Sequence, residues 1–276
     1  MSDWPLTRTF RSSSGAVRWD SLGDPGRDPV VLLHGTPFSS YVWRAVARSL
    51  ARRHQVYVWD MPGYGTSEKF AGQDVSLAAQ AKVFTELLAH WGVDQPLVVA
   101  HDFGGAVSLR AHLLHGARYT ALALVDPVAL APWGSPFFRL VGTHADVFEQ
   151  LPPALHGALV REYIGSASSA GLHPAVLDRL VEPWLGAPGQ AAFYRQIAQA
   201  DQRYTDEIQD RYGEIGVPTL VCWGQDDTWI PAAKGHELVA RIPGAHLEPI
   251  AGAGHLVQED APAELTAALI TFLDTP

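Results

Sequence analysis

Three side chains of complementary chemistry stand at the ends of apolar runs. Asp102 lies in Val98-Val99-Ala100-His101-Asp102-Phe103-Gly104-Gly105, Asp227 in Trp223-Gly224-Gln225-Asp226-Asp227-Thr228-Trp229-Ile230-Pro231, and His255 ends Gly252-Ala253-Gly254-His255. A carboxylate, with an ordinary pKa of about 3.9, is ionised at neutral pH and needs no base to make it a nucleophile. An imidazole can take a proton from water, and a second carboxylate can orient that imidazole and stabilise its cation. The three residue types together suit hydrolysis through a bond to Asp102.

The residues around Asp102 predict a sharp, strained strand-to-helix turn. Ala100, Gly104 and Gly105 are small enough to let neighbouring backbone pass. The middle side chain is then pushed above the sheet at a helix N-terminus, where N–H groups stabilise negative charge. An aspartate there can also be a plain N-cap beside a glycine turn, a reading that the two later segments disfavour. Asp226 neighbours Asp227, and the Trp-Gly-x-x-Asp-x-x-x-Pro spacing favours Asp227 as the orienting acid. Asp126, after an earlier strand and before Pro127, is the other alternative, or else a turn or hinge residue.

Positioning these residues calls for a mostly parallel sheet covered by helices. Strands are expected at residues 30–33, 56–59, 97–100, 122–125, 218–223 and 246–250, and helices at 41–52, 77–91, 104–115, 232–241 and 262–273. From 126 to about 212 the strand rhythm stops; proline, aromatic residues and helical stretches take over. This predicts a core of residues 1–126 and 213–276 with a helical cap at 127–212 inserted between two core strands.

The elbow around Asp102, the Leu33-His34-Gly35-Thr36-Pro37 segment after an early strand, and the Asp227 and His255 segments together resemble the α/β-hydrolase superfamily over nearly the whole chain. The order nucleophile, acid, histidine matches as well. The resemblance implies an α/β-hydrolase fold and an oxyanion hole made by the backbone N–H groups of Thr36 and Phe103. An aspartate nucleophile narrows it to the group that holds haloalkane dehalogenases, fluoroacetate dehalogenases and epoxide hydrolases.

Attack by a carboxylate on an ester carbonyl gives an anhydride that readily reverts, whereas attack on a saturated carbon gives a stable alkyl ester. Asp102 therefore points to an epoxide or a carbon–halogen bond. His255 then activates a water against the Asp102 ester, and Asp227 holds the imidazole. Haloalkane dehalogenases usually carry Asn after His-Gly and Trp after the nucleophile; here Thr36 and Phe103 supply no side-chain N–H. Fluoroacetate dehalogenases carry an arginine where Phe103 stands, which disfavours a small anionic substrate. An epoxide oxygen needs a proton donor, and Tyr194, in Ala192-Phe193-Tyr194-Arg195, resembles the epoxide-hydrolase tyrosine, with Tyr163 as its partner and Tyr204 in reserve. Trp133, Trp184, Trp229 and Phe38 are candidate pocket residues or plain packing. Epoxide hydrolysis is slightly preferred, with haloalkane dehalogenation the alternative; ester or lactone hydrolysis, or ligand binding without turnover, stay open.

Bulk properties narrow the partners. The chain has 276 residues, a formal net charge of −9 and no long Lys/Arg run, so nucleic acid and anionic membranes are poor partners and a small hydrophobic substrate is expected. The lone Cys222, in an apolar run, reads as a buried hydrophobe. Residues 1–5 lack a signal-peptide pattern and no apolar run reaches the roughly 18 residues of a membrane span, which predicts a cytoplasmic protein. No metal or other cofactor is implied: His112 and His115 have no third ligand at suitable spacing, and the glycine turns do not fit a phosphate loop. Oligomeric state is not legible.

Overall fold

The structure, a computed structural model, describes Trp4 and residues 6–274. Of the five N-terminal residues read above for a signal peptide, only Trp4 is therefore among those described. Eight strands form one sheet in the order β1-β2-β4-β3-β5-β6-β7-β8. They are β1 (Arg8–Ser12), β2 (Gly15–Leu22), β3 (Pro29–Leu33), β4 (Gln55–Trp59), β5 (Leu97–His101), β6 (Ala121–Val125), β7 (Thr219–Gly224) and β8 (His246–Ile250). From β4 to β8 all pairings are parallel, and β1 and β2 add an antiparallel edge. β5 and β6 are buried at every residue, because helices cover both faces of a parallel sheet.

The core helices are α1 (Arg44–Leu50), α2 (Leu77–Trp91) and α3 (Phe103–His115). Ser76 caps α2 by accepting the Ala79 N–H, and Gly92, at φ 68°, ends it in the left-handed region. Between β6 and β7 come α4 (Pro136–Thr143), α5 (Ala145–Phe148), α6 (Pro153–Gly165), α7 (Pro174–Val181), α8 (Gly186–Ala198) and α9 (Arg203–Gln209), with no strand among the described residues of this stretch. The chain closes with α10 (Ala233–Val239), α11 (Val257–Asp260) and α12 (Pro262–Leu273).

Two expectations need correction. The single helix expected over 41–52 is a 3-10 turn, Ser40–Trp43, followed by the shorter α1. The β1–β2 hairpin was not foreseen: it carries Arg8, Arg11, Arg18 and Asp20 and lies at the sheet edge, so it lacks the apolar run that marks an inner strand.

The helices between β6 and β7 sit on the C-terminal end of the parallel strands and are tied there. Trp184 Nε1 donates to the Pro37 carbonyl at 2.7 Å, and Thr36 Oγ1 donates to Gln196 Oε1 at 2.7 Å. Farther along, Arg110 Nη1 lies 2.7 Å from Glu207 Oε2 and also donates to the Tyr204 carbonyl. Among the described residues, no helix is long and apolar enough to cross a membrane.

Candidate active site

The turn from β5 into α3 holds Asp102 at φ 49°, ψ −118°, a conformation that costs a non-glycine residue about 1–3 kcal/mol. Backbone bonds lock it. The Asp102 N–H donates to the Val125 carbonyl, and the Asp102 carbonyl accepts from the Gly105 and Val128 amides at 2.9 and 3.0 Å. A Cβ on Gly104 would lie 2.7 Å from the Leu33 and His34 carbonyl oxygens, and one on Gly35 would lie 2.3 Å from Asp102 Cβ. Only glycine lets these segments close on one another. The Asp102 side chain takes no cap hydrogen bond from α3, so it does not serve as an N-cap. It turns instead toward Thr36 and His255.

Oδ1 of Asp102 accepts the Thr36 N–H at 2.6 Å, and Oδ2 lies 3.3 Å from His255 Nε2. His255 Nδ1 lies 2.9 Å from Asp227 Oδ2, and Asp227 Oδ1 accepts the Trp229 and Ile230 amides at 2.7 and 2.9 Å. Asp226 is exposed. Of the two neighbouring aspartates, it is thus Asp227 whose carboxylate meets the imidazole. Phe103 opens α3 and lines the cavity beside Asp102.

Burial works against a charged His255, but the carboxylates of Asp227 and Asp102 outweigh it and hold its pKa well above the ordinary value. Burial also works against ionised Asp227, yet the His255 charge and its N–H donors keep that carboxyl below the usual range. His101 goes the other way: burial, then the neighbouring His255, push it down to about 3. A neutral His101 can donate Nε2–H to the His255 carbonyl, 2.9 Å away, which fixes the backbone that carries the imidazole. His34, whose pKa burial lowers, accepts the Met61 N–H on Nε2, so its Nδ1–H faces the Gly35 carbonyl.

A cavity of about 30 Å³ opens on Asp102, lined among others by Thr36, Phe103, Trp133, Tyr163 and Trp229. That is room for about two water molecules. Tyr163 stacks on Trp229 at 4.5 Å between ring centres, and Trp229 stacks on His255 at 5.0 Å. The Tyr163 side chain forms part of the cavity wall. Burial and the Asp102 charge raise its pKa well above the ordinary phenol, so it stays a neutral donor.

Tyr194 does not reach this cavity. It is fully buried among the helices, with its hydroxyl 2.9 Å from His156 Nδ1. The reason lies in helix geometry: residues two apart do not share a face. On α8 it is Gln196 that meets the core, and its Oε1 accepts from both Thr36 Oγ1 and Tyr64 Oη, at 2.7 and 3.0 Å. Phe38 is likewise buried behind the site, 5.9 Å from Trp229 and 6.4 Å from His255 between ring centres. Tyr204 accepts from Arg203 through its hydroxyl and is absent from the cavity wall. The indole N–H groups of the three candidate tryptophans are engaged: Trp133 to Thr205 Oγ1, Trp184 to the Pro37 carbonyl, Trp229 to Ser166 Oγ.

Three residues near the site went unrecognised or undervalued in the sequence. Gln196 and Tyr64 carry no motif, and only the packing of α8 on the core brings them to Thr36. Asp126 was read as an alternative to Asp227 for the orienting acid, or else as a turn or hinge residue. It is fully buried and its carboxyl comes within 4.8 Å of those of Asp227 and the His255 ring nitrogen. The available signal was two aspartates at the C-terminal ends of β6 and β7, which are adjacent strands.

This arrangement can present one carboxylate oxygen to a substrate carbon, hold the other on the Thr36 N–H, and place an imidazole beside the first. Residues 28–262 match the family described as alpha/beta hydrolase fold. An alpha/beta hydrolase fold protein from Burkholderia ambifaria superimposes with a TM-score of 0.94 and is 47% identical, covering 97% of this chain and 98% of that one. A protein of Mycobacterium tuberculosis (strain H37Rv) is 31% identical over 98% of this chain and 82% of its own length. Haloalkane dehalogenase 2 of the same strain is 27% identical over 96% of this chain and 93% of its own. With its eight-stranded, mostly parallel sheet and these matches, the chain belongs to the alpha/beta hydrolase fold family.

Proposed function

We propose that this protein hydrolyses a small hydrophobic substrate through a covalent alkyl ester on Asp102, and that an epoxide is the substrate its site suits best. One observation carries the reading: the Asp102 carboxylate, with Oδ1 on the Thr36 N–H and Oδ2 facing His255 Nε2, borders the cavity that Tyr163 lines. In the first half, Asp102 Oδ2 attacks a ring carbon. The C–O bond breaks and the leaving oxygen takes the Tyr163 proton. An alkoxide is strongly basic, so this donor matters far more for an epoxide than for a halide.

The first half prepares the second. In the free enzyme the charges of Asp102 and Asp227 hold the His255 proton. Esterification removes the Asp102 charge and lowers the imidazole pKa; His255 then releases that proton to solvent, to regain it when the Asp102 charge returns, and in between can act as a base. His255 then takes a proton from water, and the hydroxide attacks Asp102 Cγ. The oxyanion that forms at Oδ1 is met by the Thr36 N–H. Collapse expels the alkoxide, which takes the His255 proton and leaves as a diol. The carboxyl keeps the water oxygen, and its proton restores Tyr163.

A second reading, haloalkane dehalogenation, is favoured by the relation to haloalkane dehalogenase 2. Against it, the indole N–H groups of Trp133, Trp184 and Trp229 are bonded elsewhere and are not free to cradle a halide. The α4–α9 helices act in either case as a cap that excludes water, and they must shift to admit a substrate larger than the cavity. Incubation with a panel of epoxides and haloalkanes separates the two. Diol formation without halide release is expected; free halide from haloalkanes with no diol from any epoxide overturns the preference. A single turnover in ¹⁸O-water should label Asp102. Labelled product with an unlabelled Asp102 would instead mean that the carboxylate acts as a base on water, as in ester or lactone hydrolysis.

A further inference from the structure

We infer that the acid behind His255 is a pair, in which a neutral Asp126 donates a proton from Oδ2 to the Asp227 carboxylate and takes over the imidazole when Asp227 is removed. The inference rests on the triad reading above for its kinetic consequence, though not for its chemistry.

Asp126 follows β6 directly and is held at φ 41°, in the left-handed region, where a non-glycine side chain is strained. Its N–H donates to the Cys222 carbonyl at 3.1 Å, which fixes the residue against β7. Its side chain is fully buried. Oδ1 accepts the Gly224 N–H at 2.9 Å, while Oδ2 has no hydrogen-bond partner among the described residues. Oxygen and nitrogen atoms of Asp126, Asp227 and His255 lie within 4.8 Å of one another. The titratable groups that face Asp126 are Asp227 from the loop after β7, His255 from the loop after β8, and the Cys222 thiol on β7, which burial keeps neutral.

Two buried carboxylates this close cannot both carry charge, so one proton is shared between them. Asp227 has three N–H partners, from Trp229, Ile230 and His255; Asp126 has one. The proton therefore resides on Asp126. Burial, reinforced by the Asp227 charge, raises the Asp126 pKa well above the ordinary range, in the same direction. An O–H on Oδ2 converts an unsatisfied buried acceptor into a donor toward Asp227. Part of the Asp227 charge is drawn off in that bond, which moderates the basicity that Asp227 confers on His255. Asp126 is thus a positioning residue, acting on the imidazole through Asp227.

The consequence is a reserve. Asp227→Asn removes the like charge beside Asp126, which then ionises next to the imidazole. Decay of the Asp102 ester, followed by intact-protein mass spectrometry from pH 5 to 9, should be slowed by about 100-fold or less in Asp227→Asn. The Asp126→Asn/Asp227→Asn protein should lose the roughly 10⁴-fold expected when a catalytic histidine has no acid at all. Asp126→Ala alone, which leaves no donor toward Asp227, should move the acid limb of the decay to higher pH, because Asp227 then keeps its full charge. Infrared spectra give a readout that needs no substrate: the carbonyl band of a protonated carboxylic acid at neutral pH, lost in Asp126→Asn. A wild-type spectrum without that band overturns the pair, as does one stoichiometric metal ion retained by the wild type and lost in Asp126→Asn. An Asp227→Asn variant as slow as the double variant overturns the reserve. If no ester forms on Asp102 at all, the proposed function fails while the band still decides the pair.

Discussion

Asp102 and Asp126 stand at the ends of neighbouring strands, β5 and β6, and are the two described non-glycine residues with positive φ, at 49° and 41°. Both are buried, and the same backbone device aims each carboxyl. Their surroundings differ. Asp102 meets the Thr36 N–H, the imidazole of His255 and a cavity. Asp126 meets a single N–H and another carboxylate. On the readings proposed above, one strained turn presents a nucleophile and the other a neutral acid. Backbone geometry delivers a side chain to a place; the donors and charges already there decide what it can do.

The most direct way to break this comparison is to take the charge from Asp102. Asp102→Asn should lower turnover by about 10⁴-fold or more and should leave no alkyl adduct on the protein. Turnover kinetics with mass spectrometry after substrate incubation check both. Residual turnover within tenfold of the wild type would make the β5 turn as unreactive as the β6 one.

His255→Ala should cost turnover nearly as much, yet by a different route. Ester formation needs no base, so Asp102 should accumulate one substrate mass that decays slowly. In the wild type, hydrolysis of the ester should fall on the acid side of the imidazole pKa, where the base is protonated, while ester formation holds to lower pH. Rapid-quench experiments across pH resolve the two steps, and identical acid limbs for both would count against the imidazole as the base.

Tyr163→Phe sharpens the contrast further, since it tests what the cavity supplies to Asp102 and does not supply to Asp126. Loss of a positioned proton donor should slow epoxide opening by about 10²- to 10³-fold and change haloalkane turnover little. Burst amplitudes on matched epoxide and bromide substrates would show it. Equal effects on both would reduce Tyr163 to a wall of the pocket.

The elbow, the acid and the histidine were legible in the sequence because each is announced by chain-local constraints: a buried strand, small residues that permit close approach, and a fixed order along the chain. β5 and α3, which position Asp102, were read within one residue at each end, and α2, β8 and α12 at their observed bounds. The β1–β2 hairpin was missed because its burial comes only from partners across the edge. Tyr194 stood out because tyrosine carries a known chemistry, and Gln196 went unnoticed because glutamine does not; which face of α8 meets the core depends on the packing of the whole helix layer. Asp126 was undervalued for a related reason. Its neighbour Asp227 is 101 residues away along the chain, and the two meet only through the pairing of β6 with β7.

The smallest effect is one of stability, and it distinguishes the two aspartates without any substrate. A carboxyl whose pKa is raised on folding holds a proton that the unfolded chain releases. Stability is then greatest below the unfolded value, about 3.9, and falls as pH rises toward the raised folded value. Asp126 is such a group. Its contribution to this decline is about 1.4 kcal/mol per pH unit, a tenfold change in the folding equilibrium, for as long as the folded state keeps the proton. Asp126→Asn removes that dependence, since an amide titrates in neither state. The variant should therefore gain on the wild type steadily from pH 4 toward neutrality. Urea unfolding of both proteins at successive pH values measures the difference. Two parallel stability curves would mean that Asp126 releases its proton as readily in the folded protein as out of it, and the neutral partner of the comparison would be lost.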